Sequence, residues 1–494
     1  MMYSLRNRLA LGALAALLAG CAVGPHYERP AVDVPPAFKE APPSPQAARQ
    51  WKAALPADGV PRGKWWMVFG DAALNALQEQ AMAANQDLKA AAARVEQARA
   101  LSRNARSAYY PSVEAGFGPI RQRPSNASLG LEPDAPNNPA TLWRAQAGVS
   151  YEVDLFKRVA ATADAAEADA QQSEALFLSV RLALQADVAQ SYFLIRRLDA
   201  EQALYDRTVQ LRQESLQLVQ RRFDEGDIAE LDLARAKSEL AAAQSESMTV
   251  ARRRAEAEHA LAILLGKSPA QFSMASSPLS PGAITVPAGL PSSLLERRPD
   301  IAAAERAMAA ANARIGAAQA AFFPRLELTG TLGYESSTLG ELFQWSSRSF
   351  LLGPLAGAIL SLPLFDGGQR QAGLDRARAR YEEDVARYRQ TVLNAFREVE
   401  DNLSGLRILD RQTKVQGDAV QSAARAAKLS QVQYREGSIS YLEVLDADRA
   451  VLQRRRTAVQ LDAERAHALV DLIRALGGGW DAPGEPDAAS SDAA

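Results

Sequence analysis

The sequence predicts an α+β membrane protein that is an internal duplication and closes its membrane-spanning sheet only together with other copies. Three observations predict it. Two 27-residue stretches, one in each half, align without a gap. A helical stretch between them runs without proline or glycine for far longer than a globular helix. Short segments beside the helices alternate apolar and polar residues over about the length of a tilted transmembrane strand.

The chain opens with a targeting segment. Arg6 and Arg8 precede the short apolar run Leu9 to Leu18, and small residues follow, so residues 1–20 read as a secretory signal peptide. Leu18-Ala19-Gly20-Cys21 resembles the bacterial lipobox, in which the cysteine is acylated and becomes the mature N-terminus. Cys21 is the only cysteine in 494 residues, so no disulfide within the chain competes for it. Residues 21–70 are expected to be a lipid-anchored extended segment, since prolines at 25, 30, 35 and 36 forbid a helix. Ala22 lacks the aspartate that commonly retains such lipoproteins at the inner membrane, which predicts the outer membrane.

Composition narrows the function. Lys and Arg total 56 against 58 Asp and Glu, giving net charge −2 and no basic excess for nucleic acid. Beyond the signal no run of 18 apolar residues occurs, so a membrane crossing has to be a β-barrel. His26, His259 and His467 are scattered without ligand spacing, and neither a P-loop nor a G-x-S-x-G occurs. The expectation is a protein that is not an enzyme, with no catalytic residue, no metal and no cofactor beyond lipid on Cys21.

The first repeat is assigned to residues 71–270 and the second to 291–480, with a linker at 271–290 and a disordered tail at 481–494. Asn85 to Pro111 aligns with Arg298 to Pro324, an offset of 213. Gly226 aligns with Gly437 and Gly266 with Gly477, both at an offset of 211. Each unit reads as a helix, two strands, then a long helical hairpin. The first helix is expected to start at the N-cap Asp71, with Leu74, Leu77, Ala81, Ala84, Leu88, Ala91, Val95 and Ala98 inward in alternating steps of three and four.

Ser112 to Arg121 and Arg144 to Phe156 are the first two strands. Val113, Ala115, Phe117, Ala145, Ala147, Val149, Tyr151 and Val153 point one way, and Glu114, Arg144, Gln146, Ser150, Glu152 and Asp154 the other. Arg325 to Tyr334 and Gly353 to Phe365 are the counterparts. Four strands cannot close a barrel. Two chains would supply eight strands, packed shut. Three would supply twelve and leave a lumen.

From about Arg158 to Arg222 nothing interrupts the next helix, which at 1.5 Å per residue is roughly 100 Å long. Gly226 breaks it, and Asp227-Ile228-Ala229-Glu230 has the form of a capping box that starts the return helix. In the second unit Gly437 is the break and Ser440-Tyr441-Leu442-Glu443 the capping signal.

Several stretches carry a family resemblance. "CAVGPHYERP" from Cys21, "LLERRPDIAAAE" from Leu294, "LPLFDGGQR" from Leu362, "YREGSISYLEVLDADR" from Tyr434 and "LGGGW" ending at Trp480 resemble the TolC-like outer-membrane factor family, in its OprM and NodT lipoprotein branch. The likeness spans Cys21 to Trp480, and His26 departs from it where an acidic residue is common. It implies a homotrimer with a twelve-stranded transmembrane β-barrel continuous with a twelve-helix periplasmic α-barrel. It also implies a passive duct for drugs or other small molecules, joined to a periplasmic adaptor and an inner-membrane pump of the resistance-nodulation-division type. A type I protein-secretion duct shares that fold, and a trimeric coiled-coil structural lipoprotein is the alternative from another class.

The resemblance also implies site residues. Leu442 and Asp446 fall where the family places its periplasmic constriction, and Glu443 falls where relatives carry another acid. Glu443 also fits the capping box, so lumen and cap remain alternatives for it. Gly226, Asp227, Arg435, Gly437 and Ser438 form the hairpin tips that would meet the adaptor. Three Asp446 carboxylates around one axis would repel one another and favour cations. Arg435, Arg449 or a divalent cation could compensate them.

Overall fold

The computed structural model describes residues 23–35, 38–40, 63–277, 297–352 and 358–478. The signal peptide, Cys21, the linker from 278 onward and the expected tail lie outside the described residues. In chain order the elements are helices α1 (Ala72–Ala84) and α2 (Gln86–Ser107), strands β1 (Ser112–Gln122) and β2 (Ala140–Val153), and helices α3 (Arg158–Asp224) and α4 (Glu230–Leu264). The second half has helix α5 (Pro299–Ala320), strands β3 (Arg325–Ser336), β4 (Arg348–Leu352) and β5 (Ala358–Ser361), and helices α6 (Gln369–Arg435) and α7 (Tyr441–Ala475). The duplication is numerical: α2 and α5 both have 22 residues, α3 and α6 both 67, and α4 and α7 both 35.

Two compact units divide the chain, one of residues 1–31, 95–173 and 304–388, the other of residues 32–94, 174–303 and 389–494. The first holds the sheet. β1, β2 and β3 pair antiparallel in that order, and β4 and β5 both pair with β3. The fourth strand therefore departs from expectation. Pairing begins at Arg348, before the expected Gly353, and ends at Ser361, before the expected Phe365. Proline 363 has no N–H to continue a ladder, and Leu362, Leu364 and Phe365 are exposed in extended chain.

Register places like side chains in rows. Val113, Val149, Gly330 and Leu352 stand abreast, as do Ala115, Ala147, Leu332 and Phe350. This face is mostly apolar, with Arg348 in the row of Phe117 and Tyr334, and exposed: Phe117 is 64%, Leu332 69% and Phe350 80% accessible. The opposite face is polar and knitted. The Arg144 Nε donates to Glu335 at 2.5 Å, the Ser150 hydroxyl to Glu327 at 2.9 Å and the Gln146 amide to the Ser349 hydroxyl at 3.2 Å.

The second unit holds the main core. Leu74, Leu77 and Ala81 of α1 pack on Tyr192, Ile195 and Leu198 of α3, with Leu261 of α4 and Val470 and Ile473 of α7. Asp71 is the N-cap of α1 and accepts from the backbone N–H of Ala73 and Leu74. The first helix is not continuous, contrary to expectation. Asn85 is extended between α1 and α2. Its Oδ1 accepts from the Leu88 N–H at 2.9 Å and its Nδ2 donates to the Leu264 carbonyl at 3.0 Å. An asparagine that can cap a new helix and tie down the end of α4 satisfies more backbone groups than one helical residue can. Among the described residues no helix is long and apolar enough to cross a membrane.

Candidate functional site: hairpin ends, strap and apolar sheet face

Both long hairpins turn in the same way. The Gly226 N–H bonds to the Phe223 carbonyl and the Asp227 N–H to that of Arg222, at 3.0 and 2.9 Å. The Gly437 N–H bonds to the Tyr434 carbonyl and the Ser438 N–H to that of Gln433, at the same distances. These are Schellman pairs, and the glycines carry the left-handed φ they need, +80° and +75°.

The expected capping boxes do not form. In the first hairpin the N-cap is Ala229, which has no capping side chain; Asp227 is held in the turn and lies 4.0 Å from Arg222. The Schellman turn takes the Asp227 N–H back into α3, which leaves that residue two positions short of the cap. In the second hairpin Ser440 is the N-cap, but its hydroxyl faces the Glu443 carboxylate at 3.5 Å and makes no backbone bond. Glu443 is therefore exposed beside Ser440 and does not reach back to an N–H.

Behind the turns the hairpins share a small core. Val219 of α3, Leu233 and Ala236 of α4, Tyr434 of α6, and Tyr441, Val444 and Leu445 of α7 are buried together. Arg222 lies over the Tyr434 ring at 5.2 Å. Arg435 is exposed and lines a cleft with Leu211, Leu218, Tyr434, Tyr441 and Val444.

Leu442 and Asp446 lie one turn apart on the exposed side of α7, with Glu443 beside them. The Arg449 Nη1 donates to the Asp446 Oδ1 at 3.1 Å, and its Nε donates to the Glu239 Oε1 of α4, also at 3.1 Å. The buried Arg212 of α3 lies 3.6 Å from Glu239 and 3.7 Å from Asp448, and the Gln431 amide of α6 donates to Asp448 at 3.2 Å. Burial pushes the Asp448 carboxyl up, against the pull of Arg212. The result is a charged clamp joining the two hairpins. Sequence reading named Arg449 near Asp446 but missed Glu239, Arg212 and Asp448, of which the Glu239–Arg449 and Arg212–Asp448 pairings join residues more than 200 positions apart. Among the described residues no cluster of His, Cys, Asp or Glu could hold a metal ion.

The described N-terminal segment is a strap on α5. Gly24 lies so close to Gly316 that a Cβ on it would be 2.8 Å from the Gly316 Cα. The Pro25 carbonyl accepts from Asn312 at 3.1 Å, and the Tyr27 hydroxyl donates to Glu305 at 2.7 Å. Burial and that carboxylate push the Tyr27 phenol up. The Arg29 Nε donates to the Tyr388 hydroxyl at 3.0 Å. The strap thus runs antiparallel to α5, with its N-terminal end toward Ala320 and the start of β3.

Comparison with known proteins places this architecture. The profile described as outer membrane efflux protein matches residues 77–267 and again 290–478. The chain is 37% identical over 481 residues to the outer membrane protein OprJ of Pseudomonas aeruginosa, covering 95% of each. It is 34% identical over 465 residues to the solvent efflux pump outer membrane protein SrpC of Pseudomonas putida, covering 94% of this chain and 96% of the other. The crystal structure of a membrane protein from Pseudomonas aeruginosa superposes with a TM-score of 0.82 at 34% identity, over 92% of this chain and all of that one.

Proposed function

The chain belongs to the outer membrane efflux protein family, and from this we propose that three copies form a passive duct through the outer membrane and the periplasm. One observation carries the proposal. The sheet exposes a largely apolar face, with Arg348 and Ser336 at its rim, and its outer strands β1 and, on the far side, β4 and β5 have no further partner among the described residues. Unpaired edges cannot stand in lipid, so the sheet has to continue into neighbours. Four strand positions from each of three chains close a barrel of twelve, wide enough for a lumen lined by the polar face. The two hairpins of each chain then give twelve helices beneath it.

Cargo enters from an inner-membrane pump through a periplasmic adaptor that meets the tips at Gly226, Asp227, Arg435, Gly437 and Ser438. The energy is the pump's, and the duct performs no chemistry. Small apolar molecules are the cargo we assign, since SrpC is named for a solvent efflux pump. Leu442 and Asp446 form the closed constriction. Glu443, which makes no backbone cap, lines it with them. Native mass spectrometry in mild detergent is expected to give a trimer. A stable monomer that forms no conducting channel in planar bilayers would refute the duct and leave a structural lipoprotein.

We assign the anchoring lipid to Cys21. The strap supports this, because Gly24 sits against α5 only four residues before its end at Ala320. Intact mass of the mature protein is expected to show an acylated Cys21, and a free thiol there would overturn the assignment. Because the barrel anchors itself, Cys21→Ser is expected to retain channels in reduced amount.

A further inference from the structure

We infer that Arg235 is a second charge-setting residue of the constriction, standing at the height of Asp446 with the opposite sign. This rests on the constriction proposed above. Helices α4 and α7 are copies of equal length that follow equal turns, and their starts, Glu230 and Tyr441, differ by 211. That offset carries Leu442 onto Leu231, Glu443 onto Asp232 and Asp446 onto Arg235. The equivalence holds in the fold. Leu231 and Leu442 are both exposed, at 58% and 38%. Leu233 and Val444, also equivalent, are both buried in the one core between the hairpins. The two helices therefore turn the same face inward, and residues two positions further on are turned alike.

The helices also stand at one height. The Arg449 Nε donates to Glu239 at 3.1 Å, and these positions differ by 210, one residue from the repeat offset. Arg235 thus lies one turn before Glu239 on α4, as Asp446 lies about one turn before Arg449 on α7. Among the described residues its ion pair is with Asp232 on its own helix, long at 3.4 Å and part-exposed. Such a pair neutralises little in water.

In a three-fold duct the return helices alternate, α4 then α7, six around the axis. At the height of Leu231 and Leu442 all six carry leucine. At the next position every helix carries a carboxylate, Asp232 or Glu443. At the height of Asp446 the ring alternates the Arg235 guanidinium with the Asp446 carboxylate, which Arg449 also contacts, so this level is not purely acidic. The acidic ring read from α7 alone is half of the constriction, and Arg235 moderates its preference for cations. A mouth built in this way passes charged cargo of either sign with a small penalty.

Reversal potentials across planar bilayers, in a KCl gradient averaging about 0.1 M, test this. Three charges lining a wet pore at that ionic strength change the cation-to-anion permeability ratio by roughly threefold to fivefold. Arg235→Gln is expected to raise the ratio by that factor, and Asp446→Asn to lower it. The double variant should return near the parent, and Arg235→Lys should keep the parental ratio. All differences should shrink at about 1 M salt, where screening acts within about 3 Å. If Arg235→Gln leaves the ratio unchanged while Asp446→Asn lowers it, Arg235 lies outside the constriction and the inference fails alone. If neither variant moves it, the constriction itself has been misplaced and both readings fall.

Discussion

Replacing Leu442 and Asp446 together by alanine is expected to raise single-channel conductance well above the parent's and to make cells carrying the channel leaky to large antibiotics. The pair sits on exposed helix surface just after the turn of the second hairpin, so in the three-fold assembly proposed above each removal is repeated three times at the proposed constriction. Leucine side chains at such a point exclude water, and hydrophobic constrictions close by dewetting. Folding is expected to survive. Among the described residues Asp446 pairs with the exposed Arg449, and pairs of that kind contribute about 0–1 kcal/mol. The bonds of Arg449 to Glu239, and the contacts of Arg212 with Glu239 and Asp448, involve neither substituted residue. The hairpins therefore stay clamped, and a conductance change reports the constriction itself. Single-channel recording of the trimeric variant measures this. Parental conductance and parental antibiotic exclusion together would place the barrier elsewhere.

The parts of this arrangement that could be read in the sequence are those that depend on near neighbours along the chain. Glycines at 226 and 437 end long uninterrupted helices, and a left-handed turn there needs little beyond the glycine itself. The alternation from Ser112 and from Arg325 puts apolar residues on one face whatever the partner strand, so β1 and β3 begin at those residues. The fourth strand was placed only in part: Ala358 to Ser361, inside the expected Gly353 to Phe365, pairs with β3, but pairing is decided by which residues stand opposite β3 and not by apolar character alone. Arg348 to Leu352 meets that ladder, and Pro363 cannot. The Asp227 cap failed for a related reason. A residue whose N–H is already committed to Arg222 is part of the preceding turn, and the pattern of side chains alone cannot show that.

The clamp was the least legible part. Glu239 and Asp448 look like ordinary helix-surface carboxylates, and Arg212 has no local signature at all. What makes them a site is the packing of two hairpins far apart in sequence. The repeat offset is the signal that the sequence does carry. It sets α4 beside α7 residue for residue, and by itself it points from Asp446 to Arg235.

Gly266→Ala is expected to abolish assembly, or nearly so, and Gly477→Ala to weaken it severely. Both glycines close the return helices, and both press on backbone at the edge of a shorter helix. A Cβ on Gly266 would lie 2.4 Å from the Ala84 carbonyl oxygen, and one on Gly477 would lie 2.9 Å from that of Arg297. Ala84 and Arg297 are themselves equivalent, 213 apart, so the duplication has copied one joint. The carbonyls are backbone held by α1 and by the start of α5, and cannot swing aside as a side chain would. Each glycine also has a left-handed φ, +66° and +87°, which by itself costs an alanine about 1–2 kcal/mol. Overpacking against fixed backbone adds roughly 1–3 kcal/mol or more. Gly226→Ala separates the two terms. Its φ is +80°, but a Cβ there meets nothing within 4 Å, so only the conformational cost applies. Outer-membrane yield and thermal melting of the detergent-solubilised trimer should therefore fall in the order Gly226→Ala, Gly477→Ala, Gly266→Ala, with the first variant still functional. Equal losses for all three would assign the effect to backbone conformation and remove the close contact as its cause. A Gly266→Ala protein as stable as the parent would mean that the joint with Ala84 is looser than described.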